Sequence, residues 1–450
     1  MSGAGMQRAR LFGALLCVAF GACAEEFPIG CWTFMTQERQ RPVEQVVKDW
    51  KDLGITHPMS PIFGIDSDRA VMHRMLDLCE KEGLHLIVHD DRVHLRGAYR
   101  AKIEKDDAAY RANVEAAAAE WGRHPSFAGF LLYDEPHKQH TNAVFKAARV
   151  IRAVVPGKMC FLNLLPWYDW IHKFTGAKEC APYLDMMAKE TGLELLSYDL
   201  YDHMAEGEFG ETKGLDFYFE NLREWMAFTL RNPGRRFWVT GLCASHASRV
   251  VGDQADYRWQ LSTAAAMGAK GVIWYYPDHV PRPSETLGNV RNMPINILGE
   301  RTEYFGRLST ENRIFRNWFG SEFMRLSIEK AALVNLARGG IESFSGDADV
   351  LSVESGKRAT LVSFFHDGDG VRYLALVNLD RRLTSRISVG VADGIEPMQL
   401  SYYRTYEKKS KTADPVLAQR HGMSDAGKFA CTMAPGQLVL IKLVRRKTGE

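Results

Sequence analysis

Little of this sequence is charged in excess, and none of it is repetitive. The 450 residues carry 57 lysines and arginines against 55 aspartates and glutamates, a formal charge of +2. So small an imbalance argues against nucleic acid or an anionic membrane surface as a partner, and a neutral or weakly charged substrate fits better. The cysteines are scattered: none forms a C-x-x-C pair or a zinc-like spacing. No Gly-x-Gly-x-x-Gly follows the first predicted strand, which counts against a dinucleotide-binding fold. No serine or cysteine sits in a nucleophile-elbow context. The composition, 46% hydrophobic and 25% charged with no low-complexity block, is that of an ordinary globular protein. The apolar run at the N-terminus, Leu11 to Phe20, is too short to span a bilayer as a permanent anchor.

That run has its own pattern. Arg8 and Arg10 precede it, and the small residues Ala22-Cys23-Ala24 follow it. A basic start, an apolar centre and a small-x-small site make a secretory signal peptide over residues 1–24, with cleavage expected after Ala24. Lipidation at Cys23, within the imperfect lipobox Phe20-Gly21-Ala22-Cys23, is the alternative; either places the mature protein outside the cytoplasm, secreted or periplasmic. Cleavage removes two arginines and no acid, leaving a formal charge near zero. Six cysteines remain (Cys31, Cys79, Cys160, Cys180, Cys243 and Cys431), and export permits disulfides among them.

From Phe27 a short apolar strand followed by an amphipathic helix repeats eight times. The strands are expected at 29–34, 55–63, 84–89, 127–133, 159–165, 193–199, 236–243 and 271–276. Repeated strand–helix units imply a parallel sheet, and eight in this length fit a closed (β/α)8 barrel, assigned to residues 25–336. After about Leu336 helical periodicity stops. Stretches rich in β-branched residues, at 349–353, 359–365, 373–378, 386–391, 399–406 and 437–443, alternate with turns such as Asp367-Gly368-Asp369-Gly370. Residues 337–450 thus read as a small antiparallel β-sandwich that braces the barrel.

In such a barrel the carboxyl ends of the strands converge on one pocket. The fourth strand ends in Asp134 and Glu135, the fifth offers Asn163 and Trp167, and the sixth Asp199, Tyr201 and Asp202. Trp32 closes the first strand, His89, Asp90 and Asp91 the third, and Trp274, Tyr275, Tyr276 and Asp278 the eighth. Carboxylates, an amide and flat rings on one rim suit a sugar, which has C–H faces and a belt of hydroxyls. Side-chain alternation places Leu131, Tyr133 and Glu135 on one face of the fourth strand. On the sixth, the polar Ser197 belongs on the barrel side, so Asp199 points inward. Glycoside hydrolysis needs one protonated and one ionised carboxyl. Glu135 as acid with Asp199 as its partner is the expected pair; Trp32, Asp91, Asp134, Asn163, Tyr201, Asp202, Trp274 and Tyr275 are the expected substrate contacts. No cofactor or metal is expected. A metal-dependent hydrolase using His89 and Asp91, with His85 and His94 nearby, is a competing reading, although the spacing matches no established ligand motif.

Several stretches resemble bacterial secreted proteins related to clan A glycoside hydrolases, similar to family 42 β-galactosidase-like proteins. They are Gly129-Phe130-Leu131-Leu132-Tyr133-Asp134-Glu135-Pro136, Asn163-Leu164-Leu165-Pro166, Ser197-Tyr198-Asp199-Leu200-Tyr201, Phe237-Trp238 and Gly268 to Tyr275. The likeness covers roughly residues 27–320 and implies a carbohydrate substrate, with Glu135 as acid/base in place of the clan's Asn-Glu pair. The clan's nucleophile is a glutamate ending strand seven, where this chain reads Trp238-Val239-Thr240-Gly241-Leu242-Cys243. Three explanations stand side by side. Asp199 or Asp202 acts from strand six across a wider carboxylate gap; a loop acid such as Asp253 or Asp278 substitutes; or the barrel is inactive and only binds glycans.

Overall fold

The computed structural model describes residues 26–33, 41–64, 66–95, 103, 106–204, 210–246, 248–278, 290–400 and 428–446. The expected signal peptide, residues 1–24, lies outside the described residues. Eight strands form one parallel sheet: β1 (Ile29–Cys31), β2 (His57–Pro58), β3 (Leu86–Val88), β4 (Phe127–Asp134), β5 (Met159–Leu164), β6 (Leu195–Asp199), β7 (Arg236–Leu242) and β8 (Val272–Tyr275). Their order is β2-β1-β8-β7-β6-β5-β4-β3, and parallel bridges Met59–Ile87 and Phe63–Asp90 join the two ends. The sheet is a closed barrel.

The helices between the strands are α1 (Val43–Asp52), α2 (Arg69–Glu82), α3 (Asp107–Trp121), α4 (Thr141–Val154), α5 (Cys180–Thr191), α6 (Gly210–Arg231), α7 (Gln254–Ala266) and α8 (Glu303–Phe315). Local chemistry sets their ends. Asp68, Asp106 and Asp253 accept first-turn N–H groups at the starts of α2, α3 and α7, and Gly83 takes the left-handed conformation (φ 67°) that ends α2. In α1 the buried Val43, Val46, Val47 and Trp50 fall at helical spacing and face the strands.

Two apolar layers result. Outward strand residues such as Cys31, Leu86, Phe130 and Trp274 pack with the helices. Trp32, Met59, Ile87, Leu131, Phe161, Trp238, Ile273 and Tyr276 fill the barrel interior. A parallel barrel needs both layers, which is why its strands read as continuous apolar runs.

Eight further strands form a sandwich: β9 (Ser327–Val334), β10 (Val350–Glu354), β11 (Thr360–His366), β12 (Arg372–Asn378), β13 (Ser385–Val391), β14 (Ile395–Leu400), β15 (Lys428–Met433) and β16 (Leu438–Arg445). A five-stranded sheet, β14-β16-β12-β11-β9, faces a three-stranded one, β10-β13-β15, over a core of Val350, Phe364, Leu376, Ile387, Phe429 and Ile441 among others. This sheet begins at Ser327, inside the stretch expected to be barrel, and β15 was not foreseen. Both are edge strands. An edge pairs on one side only and tolerates charges such as Glu329, Lys330 and Lys428, which blurs the strand pattern. Of the strand expected over 399–406, the part beyond Leu400 lies outside the described residues.

The sandwich grips α7. Arg258 bonds Glu311 at 2.8 Å and the Pro435 carbonyl at 2.9 Å, and the Trp259 indole N–H donates to the Leu379 carbonyl at 3.1 Å. Arg382 reaches Asp253 and Asp256, each at 3.1 Å. Among the described residues the six cysteines are free thiols, and no helix is long and apolar enough to cross a membrane.

Candidate active site

The alternation of β4 breaks just before its end. Leu131 pairs with Phe161, but Tyr133 pairs with Leu162 and Asp134 with Asn163, so a bulge lies between Leu131 and Tyr133. The extra residue reverses the facing expected from the sequence. Asp134 joins Asn163 on the inner face, while Tyr133 packs with the outer layer. Bulges beside active sites re-aim side chains in this way. Glu135 then follows in the left-handed region (φ 50°), held by its N–H to the Asn163 carbonyl at 2.9 Å. That conformation, unusual for a non-glycine residue, turns its carboxyl back over the barrel mouth.

Three acids meet there. The Asn163 Nδ2 group donates to Asp134 Oδ1 at 3.0 Å and to Asp199 Oδ1 at 2.9 Å. The Glu135 and Asp199 carboxyls lie close enough to act on each other. All three acids are partly exposed, so a solute reaches them, whereas Asn163 is buried. Burial pushes the Glu135 carboxyl well above the usual carboxylate range, and the charges of Asp199 and Asp134 push it further. Burial and Asp134 also raise Asp199, with Asn163 opposing. Like charges this close do not all ionise together. The Asn163 N–H opposes the rise of Asp199, so the proton of the Glu135–Asp199 pair rests on Glu135. Asp199 and Glu135 titrate as one unit.

An aromatic wall stands just past β6 and β7 and at the end of β8. Tyr201 stacks on Tyr275 with centroids 5.2 Å apart, and His246 abuts both at 5.9 and 5.6 Å. Burial and the neighbouring acids push the Tyr201 phenol up, while burial and Arg249 push His246 down to about 4.

Other expected contacts lie elsewhere. Trp274 faces the helices, fully buried, its indole N–H bonded to Asn312 Oδ1 at 2.9 Å, so it cannot stack on a ligand in the mouth. One residue of phase separates it from Tyr275. Trp32 packs on Phe161 at 5.8 Å within the interior layer, and Phe161 lies two residues before Asn163 on the same face. Asp202 is buried and committed: the Tyr168 hydroxyl donates to Oδ2 at 2.7 Å, and Arg249 donates to Oδ1 at 2.6 Å. Asp91 lies against Gly64 beside β3, while Asp90 takes Arg92 at 2.6 Å and the Trp121 indole N–H at 2.9 Å.

None of the substitute acids stands at the end of β7. Asp253 caps α7 and pairs with Arg382, and Asp278 is bound by Arg41 at 2.5 Å. Cys243 is buried, and burial pushes its thiol up. Asp199 is the strand-six acid beside Glu135, and each carboxyl acts on the other. Among the described residues no three His, Cys, Asp or Glu side chains are grouped to hold a metal ion. His89 and His94 lie 4.5 Å apart instead, and His94 stacks on Tyr133 at 5.8 Å.

Sequence reasoning missed Tyr168, Tyr183, His246 and Arg249. Tyr183, on α5, has a buried hydroxyl with no partner among the described residues, and burial pushes its phenol up, with Cys180 and Glu135 adding to it. These residues come from loops and a helix, where no strand-end rule points.

No family model and no curated protein matches the chain. Solved structures do. A glycoside hydrolase family 5 protein from Bacteroides vulgatus superposes with a TM-score of 0.55 at 11% identity, over 93% of this chain and 89% of that one. A structure described as a glycoside hydrolase gives 0.53 at 10% identity over 94% and 93%. A β-galactosidase from the psychrophilic Marinomonas ef1 gives 0.51 at 12% identity over 67% and 62%, so this chain spans about three fifths of that enzyme. The two matches that span nearly the whole chain include the sandwich. At these identities the likeness is one of fold: this chain shares with those proteins a (β/α)8 barrel, followed here by a C-terminal β-sandwich.

Proposed function

We propose that this chain is an exported glycosidase acting on a neutral glycan or glycoside, with Glu135 as proton donor and Asp199 as its ionised partner. One observation carries the reading: carboxyls from the ends of β4 and β6 converge where they are partly exposed, bridged by Asn163, with Glu135 among them driven toward its protonated form. Glycoside hydrolysis asks for that pairing of a neutral and an ionised acid.

In the free site Glu135 holds its proton beside Asp199. A glycosidic oxygen entering between them accepts a hydrogen bond from it. Glu135 protonates the oxygen as the bond to the anomeric carbon breaks, and the charges of Asp199 and Asp134 stabilise the positive charge that develops on the sugar. Water then bonds to the anomeric carbon and loses its proton to Asp199. That proton then passes from Asp199 back to Glu135. The end of β7, Gly241-Leu242-Cys243, carries no acid to serve as the nucleophile of a double displacement.

That lack also favours a second reading, a barrel that binds glycans without cleaving them. Hydrolysis of a panel of neutral glycans by the wild type, Glu135→Gln and Asp199→Asn, followed by NMR of the released anomer, separates the two. Activity lost in both variants supports the glycosidase. Binding by a wild type that releases no sugar supports the lectin-like barrel.

A further inference from the structure

The loop that follows β5 presents large rings to solvent at the same end of the barrel. Trp170 is 46% and Phe174 38% exposed, although Tyr168 and Ile171 of the same loop are buried. Trp170 lies flat on Tyr168, centroids 5.1 Å apart and planes 6° apart, and Phe174 meets its edge at 5.8 Å. Phe174 also packs on His137 at 4.9 Å. The rings thus form a continuous track. One end is His137, two residues past Glu135; the other is Tyr168, whose hydroxyl holds Asp202, three residues past Asp199. The loop therefore spans the mouth between the strands that carry the two acids.

Its shape is fixed. Buried Ile171 and Thr175 anchor it, a short helix (His172–Thr175) ends at Gly176 in the left-handed conformation (φ 77°), and Asn221 clamps Trp167 by two hydrogen bonds of 2.7 and 2.8 Å. Exposed Asp169, His172 and Lys173 stand beside the rings. A flat, rigid, exposed ring with polar neighbours suits the C–H face of a pyranose and its hydroxyls better than it suits a protein core.

We propose that Trp170, backed by Tyr168 and edged by Phe174, is an outer subsite for a further sugar of an extended neutral glycan. The substrate is then an oligosaccharide or polysaccharide chain rather than a simple monoglycoside. The inference rests on the glycosidase reading for its substrate class, and the experiment keeps the two apart.

The test compares wild type, Trp170→Ala, Trp170→Phe and Phe174→Ala, each checked for an unchanged melting temperature. Each is assayed on neutral oligosaccharides of two to six units and on the matching aryl monoglycoside, with binding of the same oligosaccharides followed by calorimetry. Trp170→Ala raises KM on the longer chains by roughly tenfold, the worth of one ring contact, with kcat unchanged and the aryl glycoside unaffected. Trp170→Phe restores most of the loss. Activity with no chain-length-dependent change in Trp170→Ala overturns the subsite and leaves the glycosidase standing. Binding that weakens in Trp170→Ala while wild type cleaves nothing keeps the subsite and overturns the glycosidase. A wild type that neither binds nor cleaves any of these glycans overturns both.

Discussion

The two ends of the barrel bury ionisable groups in opposite ways. At the carboxyl ends, Glu135 and Asp199 face each other and Asp134, and both are pushed toward the protonated form. At the amino ends, His57 and His85 lie 5.1 Å apart, and burial, His85 and Arg316 push His57 down to about 3, so it stays neutral. The base also holds a cavity of about 780 Å3 lined by His57, His85, Arg152, Lys158, Arg236 and Lys270 among others. Its cations are occupied in part by the backbone: Lys158 donates to the Phe127 carbonyl at 2.8 Å, and Lys270 donates to the carbonyls of Phe323 and Leu326. That cavity and the three acids are at opposite ends of the barrel. Desolvation neutralises groups at both, but only at the top does a like-charged pair hold a proton ready for transfer. In barrels of this kind the carboxyl face carries chemistry and the amino face carries stability.

The comparison breaks most readily at Glu135. Glu135→Gln should cut kcat/KM by roughly 10²–10⁴ at neutral pH, the usual share of a general acid. It should also raise the melting temperature. A carboxyl whose folded pKa is raised binds protons in the fold that the unfolded chain has released, so it costs stability increasingly as pH climbs above the ordinary carboxylate range. A variant that is active and no more stable at pH 8 would sink the assignment. Asp199→Asn comes next: a loss of about 100-fold, and an alkaline limb of the kcat/KM profile moved to lower pH, because the charge that raises Glu135 is gone. A limb that stays in place means the two acids are not coupled.

Trp274→Phe sharpens the contrast between facing and proximity. Losing the indole N–H leaves buried Asn312 short of a donor, for about 1–3 kcal/mol of stability by denaturant titration, with KM unchanged. A higher KM would return Trp274 to the substrate. The smallest effect belongs to the base. His57 is neutral in the fold and charged in the unfolded chain below about 6.5, so stability falls as pH drops from there toward about 3. His57→Gln should flatten that acid slope while leaving activity within about twofold, the scatter expected of a site remote from the chemistry. An unchanged slope assigns the acid sensitivity to other groups.

The strand–helix alternation was legible because a parallel barrel buries both faces of its strands. Glu135, Asn163 and Asp199 stood out as polar residues ending apolar runs, and the structure brings those side chains together. Facing was not legible where the backbone departs from regularity. The bulge before Tyr133 moved Asp134 inward, and nothing in Leu131-Leu132-Tyr133 announces it. Nor did Asp202 show that Arg249, 47 residues on, would claim it. Adjacent Trp274 and Tyr275 are equally aromatic, and only the register of β8 against β7 tells the outer ring from the inner.

The grip of the sandwich on α7 has a consequence for how the protein comes apart. Gln260, one residue beyond Trp259, donates to the Leu242 carbonyl and accepts the Leu242 N–H at 2.9 and 2.7 Å, and its Oε1 meets His203 at 3.3 Å. A single helix thus ties the sandwich to the last residue of β7 and to the turn after β6. The two halves should melt in one calorimetric transition, and a chain cut near residue 327 should yield no barrel that keeps its rim in order.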